Sequence, residues 1–150
     1  MSDLTDLYKE VILDHNRRPR NWGALADATR TAKGHNPLCG DRLTLYLKLE
    51  AGRIAGISFE GSGCAISKAS ASLMTDAVRS MSTEEALVLF GRFQEMVTTP
   101  IDREIDETYV GKLAVLAGVR EFPARVKCAS LAWHTLKAAI EGQDIPVKTE

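Results

Sequence analysis

No stretch of the chain approaches the ~20 consecutive apolar residues of a membrane-spanning helix, and Met1-Ser2-Asp3-Leu4-Thr5-Asp6 lacks the basic-then-apolar pattern of an export signal. A cytoplasmic protein with no membrane partner is expected. Neither sign of charge dominates: 19 basic and 20 acidic residues leave a net charge of -1. That excludes a global field for nucleic acid or for an anionic membrane surface, so partners must be recognised locally. Cysteine is scarce, at three, and none sits in a C-x-x-C pair. An odd number without an export signal argues against a disulfide framework and leaves metal or thiol chemistry. Repeats and low-complexity tracts are absent as well. What the chain does have is a hydrophobic content of 45% over 150 residues, enough for one packed domain spanning 1–150.

Leu4, Leu7, Tyr8, Val11 and Ile12 fall at helical spacing and predict a first helix over residues 3–16, with Ser2 or Asp3 as its cap. Pro19 disfavours the α conformation at Arg18, and Gly23 allows a turn, so the helix ends there. Arg17, Arg18 and Arg20 beside Trp22 form either a docking patch for an acidic partner or, as short charge runs more often do, a solvated surface. Leu43, Leu45, Leu47 and Leu49 then alternate with Arg42, Thr44, Tyr46 and Lys48, and Ile54, Ile57 and Phe59 resume an apolar pattern after Ala51-Gly52. Residues 42–50 and 53–60 therefore read as a hairpin, with a weaker strand over 29–35 before it. The fold class is α+β: a small antiparallel sheet of about three strands, covered by helices on its one apolar face.

Gly61 and Gly63 supply φ > 0 conformations for a turn that delivers Cys64 to the start of a helix. Ile66, Ala69, Leu73 and Ala77 line that helix's buried side, with Ser67, Ser70 and Ser72 expected to be exposed. Ser82-Thr83-Glu84-Glu85 is a capping box and opens a helix through Leu87, Phe90, Phe93 and Val97. Thr99-Pro100 breaks it. A less regular helical pattern, with Leu113, Leu116 and Ala117 inward, reaches Arg120, and Glu121-Phe122-Pro123 interrupts again. A last helix opens near Cys128, buries Leu131, Ala132, Leu136, Ala139 and Ile140, and closes at Gly142.

Unpaired N–H groups and the helix dipole favour Cys64 as a thiolate; the alternative is a buried, inert cysteine. Cys39 and Asp41 are two residues apart as a strand begins, and such residues of an extended chain share a face. The returning hairpin strand brings Cys64 beside them, and Cys128 would complete three sulfurs and one carboxylate. Cys39, Asp41, Cys64 and Cys128 suit tetrahedral zinc and equally an iron–sulfur centre. Three thiolates and a carboxylate carry four negative charges, so Zn²⁺ leaves two, which two helix N-termini with Lys127 or Arg125 would offset. A carboxylate among thiolates points to a site that opens or exchanges.

Three separated segments, Asn36-Pro37-x-Cys39-Gly40-Asp41, Gly61-x-Gly63-Cys64-Ala65-Ile66-Ser67 with Ala69-Ser70-x-Ser72, and Lys127-Cys128-x-x-Leu131-x-Trp133, resemble the IscU/SufU iron–sulfur cluster assembly family. Leu7-Tyr8-x-x-Val11-Ile12-x-Asp14-His15-x-x-x-Pro19-Arg20-Asn21 is similar to that family's first helix and the turn after it, so the likeness covers about residues 4–141. It implies a SufE/IscU-like fold. Two departures favour the SufU branch. Lys127 stands where the scaffold branch has a histidine, next to Phe122-Pro123-Ala124-Arg125-Val126-Lys127 in place of that branch's chaperone-binding segment. In addition, 63 residues (65 to 127) separate Cys64 from Cys128, more than the scaffold branch uses, with the added material near 91–119.

Resemblance to SufU implies a zinc-bound sulfur acceptor. It would take persulfide sulfur from a SufS-type cysteine desulfurase and relay it to a downstream Suf assembly scaffold. It also implies that a partner histidine replaces one ligand so that the cysteine corresponding to Cys39 is freed to attack the persulfide; Asp41 is the other candidate to detach, on ligand softness. The alternatives are a scaffold on which an iron–sulfur cluster is built and transferred, and a structural zinc module. A cysteine hydrolase would need one of His15, His35 or His134 beside a cysteine, and His134 reads as partly buried and structural.

Overall fold

The computed structural model describes residues 3–105, 108, 110–143 and 146–149, with side chains from Tyr8 onward. A first helix, α1 (Asp3–Arg17), leads to three strands, β1 (Arg30–Asn36), β2 (Asp41–Glu50) and β3 (Arg53–Ser62). Helices α2 (Ala65–Val78) and α3 (Thr83–Thr98), a 3₁₀ segment η1 (Gly111–Glu121), helix α4 (Pro123–Glu141) and a short β4 (Val147–Lys148) follow. Helix α1 begins at Asp3, and a cap at Ser2 lies outside the described residues.

Alternation decides the sheet. Leu43, Leu45 and Leu47 of β2 are buried, with α4 packed on that strand and α2 on β3, and Leu45 and Leu47 are at 0% exposure. Between β2 and β3, Ala51 (φ 51°) and Gly52 (φ 76°) both take positive φ, the combination whose twist suits a two-residue hairpin loop. The register pairs Asn36 with Asp41 and Arg42 with Ser62, so the end of β1, the start of β2 and the end of β3 lie side by side at one end of the sheet. The strand order is β3-β2-β1-β4. This corrects the expected antiparallel sheet of about three strands. Among the described residues the sheet has four strands and is mixed, because β4 pairs parallel with β1 at Gly34–Val147 and His35–Lys148, and the Thr149 N–H donates to the His35 carbonyl at 3.0 Å.

Helix α4 lies directly on β1, where Gly34 leaves no room for a Cβ against Thr135 and Leu131. The helix starts at Pro123 rather than near Cys128, which corrects the sequence reading. Proline needs no N–H at a first helical position and has φ already set, so Phe122-Pro123 opens the helix that it was expected to precede. In place of the expected helix over 100–120 the described residues form the 3₁₀ segment η1 from Gly111; Leu113 and Leu116 are buried there and Ala117 is half-buried. The capping box at α3 is present in both directions, Ser82 N–H to Glu85 and Glu85 N–H to Ser82, each at 3.0 Å. Trp133 is fully buried between the rings of Phe90 and Phe93, stacked at centroid distances of 6.2 and 4.8 Å.

On the other side of the molecule the segment after α1 runs along β3, with Gly23 N–H donating to Phe59 O and Phe59 N–H to Asn21 O. Trp22, 47% exposed, meets Phe59 edge-on at 5.3 Å and carries the Lys68 ammonium over its ring at 5.0 Å. Arg20 pairs with Asp14 at 2.7 Å and Arg18 lies 3.7 Å from the same carboxylate, so two of the three arginines engage a local acid on a solvated surface. The serines of α2 are the opposite of exposed. Ser70 and Ser72 are at 0% and Ser67 at 9%. Ser70 donates to Ala129 O of α4 at 2.6 Å, and Ser72 Oγ accepts the Arg20 N–H at 2.8 Å and bonds His15 Nδ1 at 2.7 Å. Small hydroxyls here bind helices to one another.

Gly63 joins the sheet to α2 at φ 142°, where a Cβ would press into the Asp41 carboxylate and lie 2.8 Å from Asp41 Cα. Gly63→Ala should destabilise the fold by at least ~2 kcal/mol, since backbone strain and overpacking each cost about 1–3 kcal/mol. Gly91 of α3 has open space around it, so Gly91→Ala should stabilise by up to about 1 kcal/mol through helix propensity. Midpoints of urea unfolding shifting in opposite directions would meet this expectation; equal midpoints would contradict it.

Candidate metal centre

The β1–β2 connection is the four-residue turn Pro37-Leu38-Cys39-Gly40, closed by Gly40 at φ 70°. It leaves Cys39 exposed at the tip and places Asp41 as the first residue of β2, at 0% exposure. Cys128 reaches the same spot from above, in the second turn of α4, and is 2% exposed. Ligand atoms of Cys39, Asp41 and Cys128 all lie within 4.8 Å of one another, a group able to hold a metal ion. The Cys128 thiol donates to Cys39 Sγ at 3.2 Å.

Cys64 adjoins this group from the β3–α2 junction. Its N–H donates to Asp41 Oδ1 at 2.8 Å and its thiol to Asp41 Oδ2 at 3.8 Å. As the N-cap of α2, its sulfur accepts the Ser67 N–H at 3.4 Å. The four expected residues therefore meet at one end of the sheet, three of them tightly and Cys64 through Asp41. Cys39 and Asp41 do so across a left-handed glycine rather than as i, i+2 of a strand.

Two electrostatic expectations change. Burial pushes the Cys64 thiol pKa up; the Ser67 N–H pulls it down, and the nearby Asp41 charge adds to the rise. Cys64 is therefore no thiolate on the strength of the helix end alone. Cys128 rises further, through burial first and then its hydrogen bond to Cys39. Being one turn inside α4, it also lacks the helix N-terminus expected to help offset the site's charge, and Arg125 lies over the Phe122 ring at 4.4 Å. A bound cation would be the principal source of thiolate character.

Asn36 is the residue that sequence reasoning left without a role. It is 0% exposed, and its Nδ2 donates to Asp41 Oδ2 at 3.3 Å and to Cys128 Sγ at 3.5 Å, while its Oδ1 accepts the Leu38 N–H at 3.3 Å. The signal was present in the strand period: Ala32 and Gly34 set the inward face of β1, and the next inward position is an amide. Among the described residues no histidine hydrogen-bonds a cysteine. His15 bonds Ser72, and half-buried His134 meets Phe90 edge-on at 5.1 Å. The cysteine hydrolase reading has no support.

A small α+β unit that gathers thiols and one buried carboxylate at a hairpin end defines a class of protein with a cysteine–carboxylate cluster of metal-ligand type. The chain belongs to the family described as NifU-like N terminal domain, whose model matches residues 7–129. It is 44% identical over 144 residues to the iron-sulfur cluster assembly scaffold protein IscU of Streptococcus pyogenes serotype M1, covering 94% of this chain and 87% of that one. To the zinc-dependent sulfurtransferase SufU of Bacillus subtilis (strain 168) it is 40% identical over 144 residues, 95% of each chain. Among solved structures, the putative SUF-system scaffold FiSufU of Fervidobacterium islandicum AW-1 matches with a TM-score of 0.80 at 34% identity, over 87% of this chain and 94% of that one. No helix among the described residues is long and apolar enough to cross a membrane.

The raised thiol pKa values set the pH behaviour. Above the ordinary thiol value of 9.0 the unfolded chain loses protons that the folded metal-free chain retains at Cys64 and Cys128, so metal-free stability should fall as pH rises past about 9. Metal uptake near neutrality should release protons, measurable by calorimetry in buffers of different ionisation enthalpy. Asn36→Ala removes the donor shared by Asp41 and Cys128; if this group is what holds zinc, the change should weaken binding about 10–100-fold, the usual cost of losing a partner that orients a ligand. Competition with a chromophoric chelator measures it, and unchanged affinity would deny Asn36 that role.

Proposed function

We propose that the chain works in iron–sulfur cluster assembly as a zinc-holding sulfur acceptor, with Cys39, Asp41, Cys64 and Cys128 as the ligands. The donor set supports this reading: soft thiolates with a single hard oxygen, drawn from three segments, suit a four-coordinate zinc. Bound zinc would hold the thiols deprotonated.

The observation that carries the sulfur-acceptor reading is the exposure of Cys39 beside a buried Cys128 and a fully buried Asp41. Asp41, the other candidate to detach, has both oxygens held by hydrogen bonds. Cys39 sits on a turn tip that an incoming partner can reach. In this reading Cys39 attacks the terminal sulfur of a SufS-type desulfurase persulfide, the desulfurase cysteine leaves as the thiolate, and Cys39 carries the sulfur to a downstream Suf assembly scaffold. The added segment near 91–119, which forms the second half of α3 and most of η1, supports the SufU branch. The name of the Streptococcus relative favours a second reading, cluster scaffolding.

Incubation with a cysteine desulfurase and cysteine, followed by thiol labelling and peptide mapping, should place the transferred sulfur on Cys39. Cys39→Ala should abolish stimulation of the desulfurase while the fold persists; label on Cys128 with full stimulation by the variant would reassign the acceptor. Anaerobic reconstitution of a cluster that passes to an apo-acceptor would favour the scaffold. Zinc removal by chelator should lower the melting temperature, because the metal's binding energy is part of the folded state's stability.

A further inference from the structure

The contact between Cys39 and Cys128 has a chemistry of its own, separate from holding a metal. Their sulfurs stand 3.2 Å apart, closer than the roughly 3.8 Å separating two thiolates bound at about 2.3 Å to a tetrahedral zinc. A disulfide needs about 2.05 Å, so a shift of little more than 1 Å would close the bond. The two residues differ in access as a redox pair requires: Cys39 is exposed on the turn tip and Cys128 is 2% exposed behind it. Cys64 bonds to Asp41 and also to Cys128, but among the described residues the Cys39 sulfur is joined to Cys128 and not to Cys64, which leaves Cys64 the odd thiol.

We propose that Cys39 and Cys128 form an intramolecular disulfide when the metal-free chain meets a peroxide, and that this bond blocks metal uptake until it is reduced. In the first step Cys39 sulfur attacks one peroxide oxygen. The O–O bond breaks, the departing hydroxide takes the thiol proton as water, and Cys39 becomes a sulfenic acid. Cys128 sulfur, already directed at Cys39 Sγ, then attacks it. The S–S bond forms, the S–O bond breaks, and the Cys128 proton leaves with the hydroxide as a second water. Each sulfur gives up one electron and the peroxide gains two. Two of the four proposed ligands are thereby removed. A bound metal would occupy the lone pairs that must attack, so the loaded chain resists.

The test compares full chain loaded with zinc against chain stripped by a chelator that is then removed, both given one equivalent of hydrogen peroxide. Alkylation of the remaining thiols is followed by non-reducing peptide mapping. The stripped chain should retain one reactive thiol of three, Cys64, and yield a Cys39–Cys128 cross-linked peptide from a monomer. Zinc uptake should be lost and return with dithiothreitol, whereas the zinc-loaded chain should keep all three thiols. Cys64→Ser should still form the bond, and in Cys128→Ser the sulfenic acid on Cys39 should persist long enough for dimedone to trap it. A Cys39–Cys64 bond, a Cys39-linked dimer or direct passage of Cys39 to sulfinic acid in the stripped wild-type chain would overturn the proposal. These outcomes need no desulfurase, so they stand or fall apart from sulfur transfer.

Discussion

The hydrogen bonds into the Asp41 carboxylate fix the geometry on which the rest of the site depends. A carboxylate at 0% exposure is costly to bury unless its oxygens are satisfied. Its donors come from opposite sides: Cys64 N–H, at the far end of the hairpin, serves Oδ1, and Asn36, across the strand pair, serves Oδ2. Both require the β1–β2–β3 register to be in place to the residue, because a slip of one position would turn Asp41 to the other face of the sheet. Gly63 is glycine for the same reason, lying where any side chain would strike that carboxylate. Removing the carboxylate would therefore disturb a structural joint as well as a proposed ligand.

Cys128 enters this arrangement through helix packing. Gly34 lets α4 settle onto β1, and Ser70 binds the backbone of Ala129, the residue next to Cys128. The helix headed by Cys64 and the helix carrying Cys128 are thus tied together beside the site. The exposed member of this framework is Cys39, on the turn that Gly40 closes at φ 70°.

Much of this is legible in the sequence. Alternating leucines defined β2, Ser82 and Glu85 defined the start of α3, and the return of a hairpin sufficed to place Cys64 beside Asp41. The gaps have physical causes. β4 has two residues and pairs with a strand more than a hundred positions away, so it carries no period to read. Pro123 serves as a break and as a helix start with equal ease, which hid the first turn of α4 and put Cys128 at the wrong depth. Ser67, Ser70 and Ser72 looked like an exposed polar stripe, yet short hydroxyls can be buried where a carbonyl, an amide or an imidazole is within reach. The rise in the thiol pKa values required knowing how deeply each sulfur sits, and spacing along the chain holds no record of depth.

The two tryptophans occupy opposite kinds of surroundings. Trp133 is sealed among aromatic rings in the core, while Trp22 is half open to solvent beneath Lys68, which stands on the first turn of the helix that Cys64 heads. A soluble quencher of fluorescence can reach the second indole and not the first. The chain consequently carries a built-in optical probe at the base of α2 and an internal reference sealed from solvent, so movement of that helix end can be followed in the native sequence without attaching a dye to any of the three thiols.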